Sequence, residues 1–468
     1  MFDADTYVRR RNRLKASLDS GLALFLGNDE APFNYRDNHY QFRQDSTFLY
    51  FWGLNAANLA ATLDFDSGEE ILYGYEPTLD DIVWTGPLPT LSEWGEKIGV
   101  VDCRNIDRLR EDVQAALAAG REVHVLPAYR GDTALKLSGL LDVAPIDLPS
   151  RESEQLVREI IALRSPKEAQ EIAEIEKALE VSYHTHTAAM RATRPGLYEW
   201  EVVRQVEACH ARHGSPVSFP IIFSVRGEVL HNHGHDNRML EGQMVVHDSG
   251  ATSPEEYASD ITRSFPVSGR FDTRQREIYQ IVLQALADAT AEVRPGMPFI
   301  DVYKTAARTQ MDGLKQLGLV RGDTHEAVEQ GAHAAFLQCG TGHMLGLDVH
   351  DMEGLGEELV GYDDTVQRSP LFGACYVRLG RALEPDWVVA VEPGIYFIPE
   401  LIDRWSAEAK YSEFIDWPAV DKYRDFGGIR IEDDVQVTAD GHRVLGRPIP
   451  KTVDDVEETM ASEDDGDS

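Results

Sequence analysis

One order of elements runs through this chain twice and limits the architectures open to it. A helical stretch, the tripeptide Arg-Pro-Gly and a second helical stretch occur around Arg194–Gly196 and again around Arg294–Gly296. The tripeptide alone is a common helix stop, so the weight lies in the pair of strands after each copy. After the first comes QMVVHDSG, a β-branched strand ending at Asp248, and then SDITRSF, which opens with Asp260. The intervening HDSGATSPEEYASD reads as a hairpin connection. After the second copy comes DWVVAVEPG, which carries Glu392, and then GIRIEDDVQV, which carries Glu432. The expectation is two related α+β halves, each delivering two carboxylates. A pseudo-twofold packing would bring all four to one place.

Four buried carboxylates repel one another and are driven to protonate unless cations neutralise them. Carboxylate oxygens with a single imidazole suit Mn²⁺, Co²⁺ or Zn²⁺ in a two-metal site, with ions about 3.5–4 Å apart. Such a pair shares a bridging water, lowers its pKa and readies it for a carbonyl. The imidazole comes from CGTGHMLGLDVHD, where His343 follows a glycine-rich turn that allows close backbone approach and His350 follows LGLDV. The segment LHNHGHDN adds His231, His233 and His235, of which the last two read as surface residues. Of 468 residues 80 are Asp or Glu, so no single acid means much, and one in a turn is usually a cap or solvated. The ordered set of four is what stands apart.

The first 150 residues or so alternate strands such as LALFLG, SGEEILYGY and EVHVLP with helices such as DRLREDVQAALAAG. This pattern implies a smaller α/β domain over residues 1–154, followed by the repeated region over 155–455. Ser165-Pro-Lys-Glu168 reads as a helix start, with Ser at N-cap, Pro at N1 and Glu at N3. Residues 456–468 read as an acidic disordered tail. No run of about 18 apolar residues is present, and the N-terminal stretch lacks the apolar region and cleavage site of a signal peptide. Four scattered cysteines without a CxxC pair suit a reducing cytoplasm. The formal charge of −35 argues against nucleic acid and membrane partners and for a strongly solvated acidic surface, as in salt adaptation.

Taken in order, HDSG, YASDITRSFPVSG, GTGHMLGLDVHD, VEPGIYF and GIRIEDDV resemble the creatinase-fold ("pita-bread") metallopeptidases, in the branch of aminopeptidase P and prolidase. DSTFLYFWGLN resembles that branch's non-catalytic N-terminal domain. The resemblance implies that Asp248, Asp260, His343, Glu392 and Glu432 ligate two divalent ions per chain, Mn²⁺ first, with Co²⁺ or Zn²⁺ as alternatives. Asp260 and Glu432 would bridge the ions; Asp248 would complete one, and His343 with Glu392 the other. His231 and His350 match histidines that contact substrate and stabilise the tetrahedral intermediate. Glu392 would accept and shuttle the proton. Arg430 matches an arginine that orients the site, and Arg378 falls where prolidase-like members hold a substrate carboxylate.

The implied activity is that of an Xaa-Pro aminopeptidase acting on peptides with proline second, in a homo-oligomer, dimer or tetramer. The spacing from His231 to Asp248 supports it, and an Xaa-Pro dipeptidase is the alternative. A metal-free binding module of the same fold is a remote third reading, disfavoured because all five ligand positions are filled. One departure stands out: Cys339 occupies a position where members commonly carry His, which predicts altered rate or specificity.

Overall fold

The short apolar stretches of the N-terminal region pair into one mixed five-stranded sheet in a computed structural model that describes residues 1–462. Its strands run in the order Asp102–Asn105, Glu70–Gly74, Ala60–Asp64, Leu22–Leu26, Val123–His124. The central three are antiparallel and the outer two join in parallel. Leu109, Val113 and Ala116 recur at helical spacing on Arg108–Ala118 and pack with Leu24, Tyr73 and Leu137 in the core. The chain divides into two units, Met1–Arg164 with Met352–Val360, and Ser165–Asp351 with the chain from Gly361 on. The helix Glu154–Arg164 stays with the first unit: Tyr50 Oη donates to Leu163 O at 2.8 Å and Arg164 to Thr47 at 3.0 Å. No helix of the described residues is long and apolar enough to cross a membrane.

The second unit contains the doubled arrangement. Ala169–Ala192 packs on Glu199–Arg212 in the first half, and Thr273–Glu292 on Phe299–Gln316 in the second, with an Arg-Pro-Gly turn between each pair. The strands Ile261–Pro266, Met244–Ser249 and Ile222–Ser224 form the first half's sheet. The second half's sheet is Val388–Val391, Asp433–Val437 and His442–Val444, extended by the pair Gly394–Tyr396 with Gly428–Arg430.

Two local expectations need correction. The helix after Ser165 starts later than Ser-Pro-Lys-Glu suggested: Glu168 is its N-cap, in a capping box with Glu171. Lys167 is held out of the helix because its N–H donates to Asp386 O at 2.7 Å and its ammonium is engaged by Asp351. The stretch expected as a tail from residue 456 is in part a helix, Val453–Ala461, capped by Thr452 and burying Val456 and Met460 on one face. Residues 463–468 lie outside the described residues.

The Met244–Ser249 and Ile261–Pro266 hairpin closes as the sequence implied, with Asp248 opposite Thr262. Its approach depends on Gly250, because a Cβ there would stand 1.7 Å from the carbonyl oxygen of Ser259. Backbone cannot yield as a flexible side chain can. Gly250→Ala is therefore expected to cost about 3 kcal/mol or more, read as a lowered denaturant midpoint. A midpoint equal to that of the wild type would contradict this packing.

Candidate metal centre

The site is assembled where the two halves of the second unit meet. On one side, alternation along a strand places Asp260, Thr262 and Ser264 on a single face. On the other, Arg430, Glu432 and Asp434 do the same. The two runs face each other in antiparallel order. Asp260 N–H donates to Asp434 Oδ2 at 3.0 Å, Glu432 N–H to Thr262 O at 3.1 Å, and Thr262 Oγ1 to Glu432 Oε2 at 2.7 Å. Ser264 Oγ donates to Arg430 O at 2.9 Å. Arg263, buried behind this seam, donates to Glu432 O at 2.5 Å and to Asp433 at 2.7 Å.

A break in the second half's ladder sets the remaining acid. Val391 pairs with Asp433 and Gly394 with Arg430, so the register is the same on both sides and Glu392 lies opposite Glu432. The ladder lapses there because both amides are used elsewhere: Glu392 N–H donates to Thr341 O at 2.9 Å, and Glu432 N–H to Thr262. The segment around His343 runs antiparallel beside the strand Val388–Val391, with Leu345 N–H to Val388 O at 2.9 Å and Ala390 N–H to His343 O at 3.0 Å. Gly342, at φ +154°, permits this, since a Cβ would meet Ala390 O at 2.0 Å. The glycine thus seats the histidine segment against a strand carbonyl.

His343 Nδ1 lies 3.0 Å from Met344 O, which places the proton on Nδ1 and leaves Nε2 to face the acids. Nε2 is 3.3 Å from Asp260 Oδ2 and 3.9 Å from Glu392 Oε1. Ligand atoms of Asp260, His343 and Glu432 all fall within 4.8 Å of one another. Asp248 Oδ1, Asp260 Oδ1 and Glu432 Oε1 are buried and have no hydrogen-bond partner. Orphaned carboxylate oxygens converging with one open imidazole nitrogen are a donor set that fits divalent cations, so the residues present suit the ions expected of them.

The electrostatics agree. Burial, then Asp248, Asp434 and Glu392, hold the Asp260 carboxyl well above the usual carboxylate range. Burial, then Asp260 and Glu392, do the same to Glu432. Glu392 is raised by burial, partly offset by His343 and Arg430. The guanidinium of Arg430 is set among these acids. It binds Asp248 through Nη2, Tyr396 Oη at 2.9 Å and Thr262 Oγ1 at 3.0 Å, and its Nε lies 4.0 Å from Glu392.

The nine residues that the resemblance assigns to the site border one cavity of about 840 Å³: Asp248, Asp260, His343, Glu392, Glu432, His231, His350, Arg378 and Arg430. The His350 ring stands 4.3 Å from that of His343, edge to face. Burial and then Arg430 lower the pKa of His231. His233, read as a surface residue, is exposed and also borders the cavity; His235 Nε2 lies 3.1 Å from Ile221 O. Cys339 borders it too, with its thiol pushed up to about 12 by burial and then Glu392, so it is a neutral group there. Thr262, Tyr396 and Asp434 were not singled out from the sequence. Alternation from Asp260 and from Glu432 was the available signal for Thr262 and Asp434; Tyr396 had none.

Arg430 offsets the carboxylates only while it stays paired, and its removal leaves their charge buried and uncompensated. Arg430→Met is expected to destabilise the chelator-treated protein by about 3–5 kcal/mol in denaturant unfolding. An unaltered midpoint would show that the guanidinium does not carry this balance.

Comparison with known proteins agrees with the geometry. The model of metallopeptidase family M24 matches residues 173–439, and that of the aminopeptidase P N-terminal domain matches residues 7–126. A probable Xaa-Pro aminopeptidase of Fusarium vanettenii is 32% identical, over 91% of this chain and 89% of its own. The Xaa-Pro dipeptidase of Homo sapiens is 30% identical, over 96% and 91%. The solved structure of zinc-substituted Escherichia coli aminopeptidase P in complex with product superposes with a TM-score of 0.79 at 28% identity, covering 98% of each chain. The family model spans more than half of this sequence and full-length relatives reach 30% identity or more, so the chain belongs to metallopeptidase family M24, with an aminopeptidase P N-terminal domain ahead of the peptidase region.

Proposed function

We propose that this chain is an Xaa-Pro aminopeptidase, releasing the residue that precedes a proline at the second position of a peptide. The observation that carries the reading is the convergence of four carboxylates, one open imidazole nitrogen and two further histidines on one cavity. Relatives named Xaa-Pro aminopeptidase extend along nearly the whole chain. Asp248, Asp260, His343, Glu392 and Glu432 would hold two divalent cations, Mn²⁺ in first place. Bound cations supply Lewis acidity, polarising a carbonyl and acidifying water.

The chain's own groups do the rest. Glu392 is the most open of these carboxylates, with a side chain 20% exposed against 7% for Asp260 and 11% for Asp248. Its opening to the cavity suits it to take a proton from the attacking water and pass it to the leaving nitrogen. That nitrogen belongs to proline and carries no N–H, so a pocket for this bond need not satisfy a donor. His231 and His350, both on the cavity wall, would donate to the oxygen that gains charge in the transition state. Arg430 holds Asp248 in place through its Nη2.

A second reading, Xaa-Pro dipeptidase, is favoured by Arg378, a half-buried cation on the cavity wall suited to a free carboxylate. The Mn²⁺-loaded chain is expected to release alanine from Ala-Pro-Ala, and Asp260→Ala to abolish the release. Cleavage of Ala-Pro alone would assign the dipeptidase activity and give Arg378 the carboxylate. Cleavage of neither peptide by the loaded chain would overturn both readings.

A further inference from the structure

The turn between the two cavity histidines is held from behind by one buried ion pair. Lys167 Nζ lies 2.9 Å from Asp351 Oδ2, with the side chains 1% and 2% exposed. Neither residue borders the cavity. Asp351 directly follows His350 and closes the turn on itself. Its N–H donates to Met344 O at 2.9 Å, and its Oδ1 accepts from Asp348 N–H at 3.3 Å. Gly346 O accepts from Ala258 N–H at 2.8 Å, which ties the turn to the loop leading into Asp260. A Cβ on Gly346 would stand 2.5 Å from Asp351 Oδ2 and 3.0 Å from Lys167 Cε, so the pair presses directly on the turn's backbone.

Lys167 is anchored in turn. Its N–H donates to Asp386 O at 2.7 Å, just ahead of the strand that leads to Glu392, and its Nζ donates to Ser165 O at 3.1 Å. These bonds pull Lys167 out of the following helix, whose first residue is Ala169. A fully buried ion pair is a poor source of stability, because desolvation of both charges offsets their attraction. What this pair does accomplish is to fix one position of the turn relative to the strand beside it.

We propose that Lys167 is a positioning residue for the peptidase reaction: through Asp351 it fixes the turn that sets His350 against His343 at the cavity wall. The inference rests on the peptidase reading, in which His350 donates to the reacting carbonyl oxygen. Loss of the ammonium lets His350 drift, while the metal ligands and the rest of the cavity remain. Turnover should fall without a matching change in cation or substrate binding.

The test is a double-mutant cycle on the Mn²⁺-loaded full chain with Ala-Pro-Ala, comparing wild type, Lys167→Met, His350→Ala and the double variant. Lys167→Met is expected to lower kcat by about tenfold or more, with KM and bound Mn²⁺ within about twofold of wild type. On the His350→Ala background the same change should cost less than about twofold, because the histidine it positions is already gone. Lys167→Arg, which keeps a cation in place, should recover most of kcat.

An additive loss in the double variant, an unaltered kcat, or a loss confined to KM or bound Mn²⁺ would each overturn the proposal. If Lys167→Met does not fold, Asp351→Asn keeps the side chain's shape and carries the same cycle with the same outcomes. A wild-type chain that releases no alanine would overturn the peptidase reading and this inference with it. A wild type that turns over while Lys167→Met keeps pace would overturn the inference alone.

Discussion

The centre depends on the polar seam between two strand segments, one from each half of the second unit. Asp260 to Asp434, Thr262 to Glu432 and Ser264 to Arg430 form three successive cross-links. Main-chain groups take part at each step, Glu432 N–H donating to Thr262 O at the middle one, so the seam fixes the two backbones against each other. Two carboxylates, Asp260 and Glu432, are thereby held within ligand distance of each other and of His343. Placing like charges so close in a buried site is unfavourable by itself. The seam imposes the geometry, Arg430 offsets part of the charge, and the remaining unpartnered oxygens are a donor set that suits divalent cations.

The same logic accounts for the order of elements. Each half supplies a helix pair with an Arg-Pro-Gly turn and an acid-bearing pair of strands, and neither half alone carries all the proposed metal-binding residues. The first gives Asp248 and Asp260; the second gives His343, Glu392 and Glu432. A hairpin that carries Asp248 inside one strand and Asp260 just ahead of the next sets the two acids side by side at the seam. Glu392 reaches the centre from a ladder broken at one step, where the amides of Glu392 and Glu432 turn to neighbours outside the ladder. Packing of this kind makes the acids a property of the assembled pair of halves.

Much of this was legible in the sequence because the acids sit in β-branched strands of recognisable order, and period-two alternation fixes which residues share a face. The doubled arrangement and the hairpin around Asp248 and Asp260 could be read directly. What escaped were features that depend on long-range contact. The late helix start after Ser165 comes from Lys167 bonding to Asp386 and Asp351, both distant in sequence, against a strong local capping signal. The helix Val453–Ala461 was hidden by an acidic composition, although Val453, Val456 and Met460 mark its buried face. Tyr396 meets Arg430 only through the ladder that pairs their strands, and no spacing announces it.

The charge balance at the seam is tested most directly by the number of Mn²⁺ ions that the chelator-treated chain takes up, measured by calorimetric titration together with the melting temperature. Two ions per chain, with a melting temperature that climbs as they bind, is the predicted result, since ligands that bind only the folded state stabilise it. A chain that binds no Mn²⁺, or whose melting temperature is unmoved by it, would contradict the claim that cations balance the carboxylates gathered at the seam.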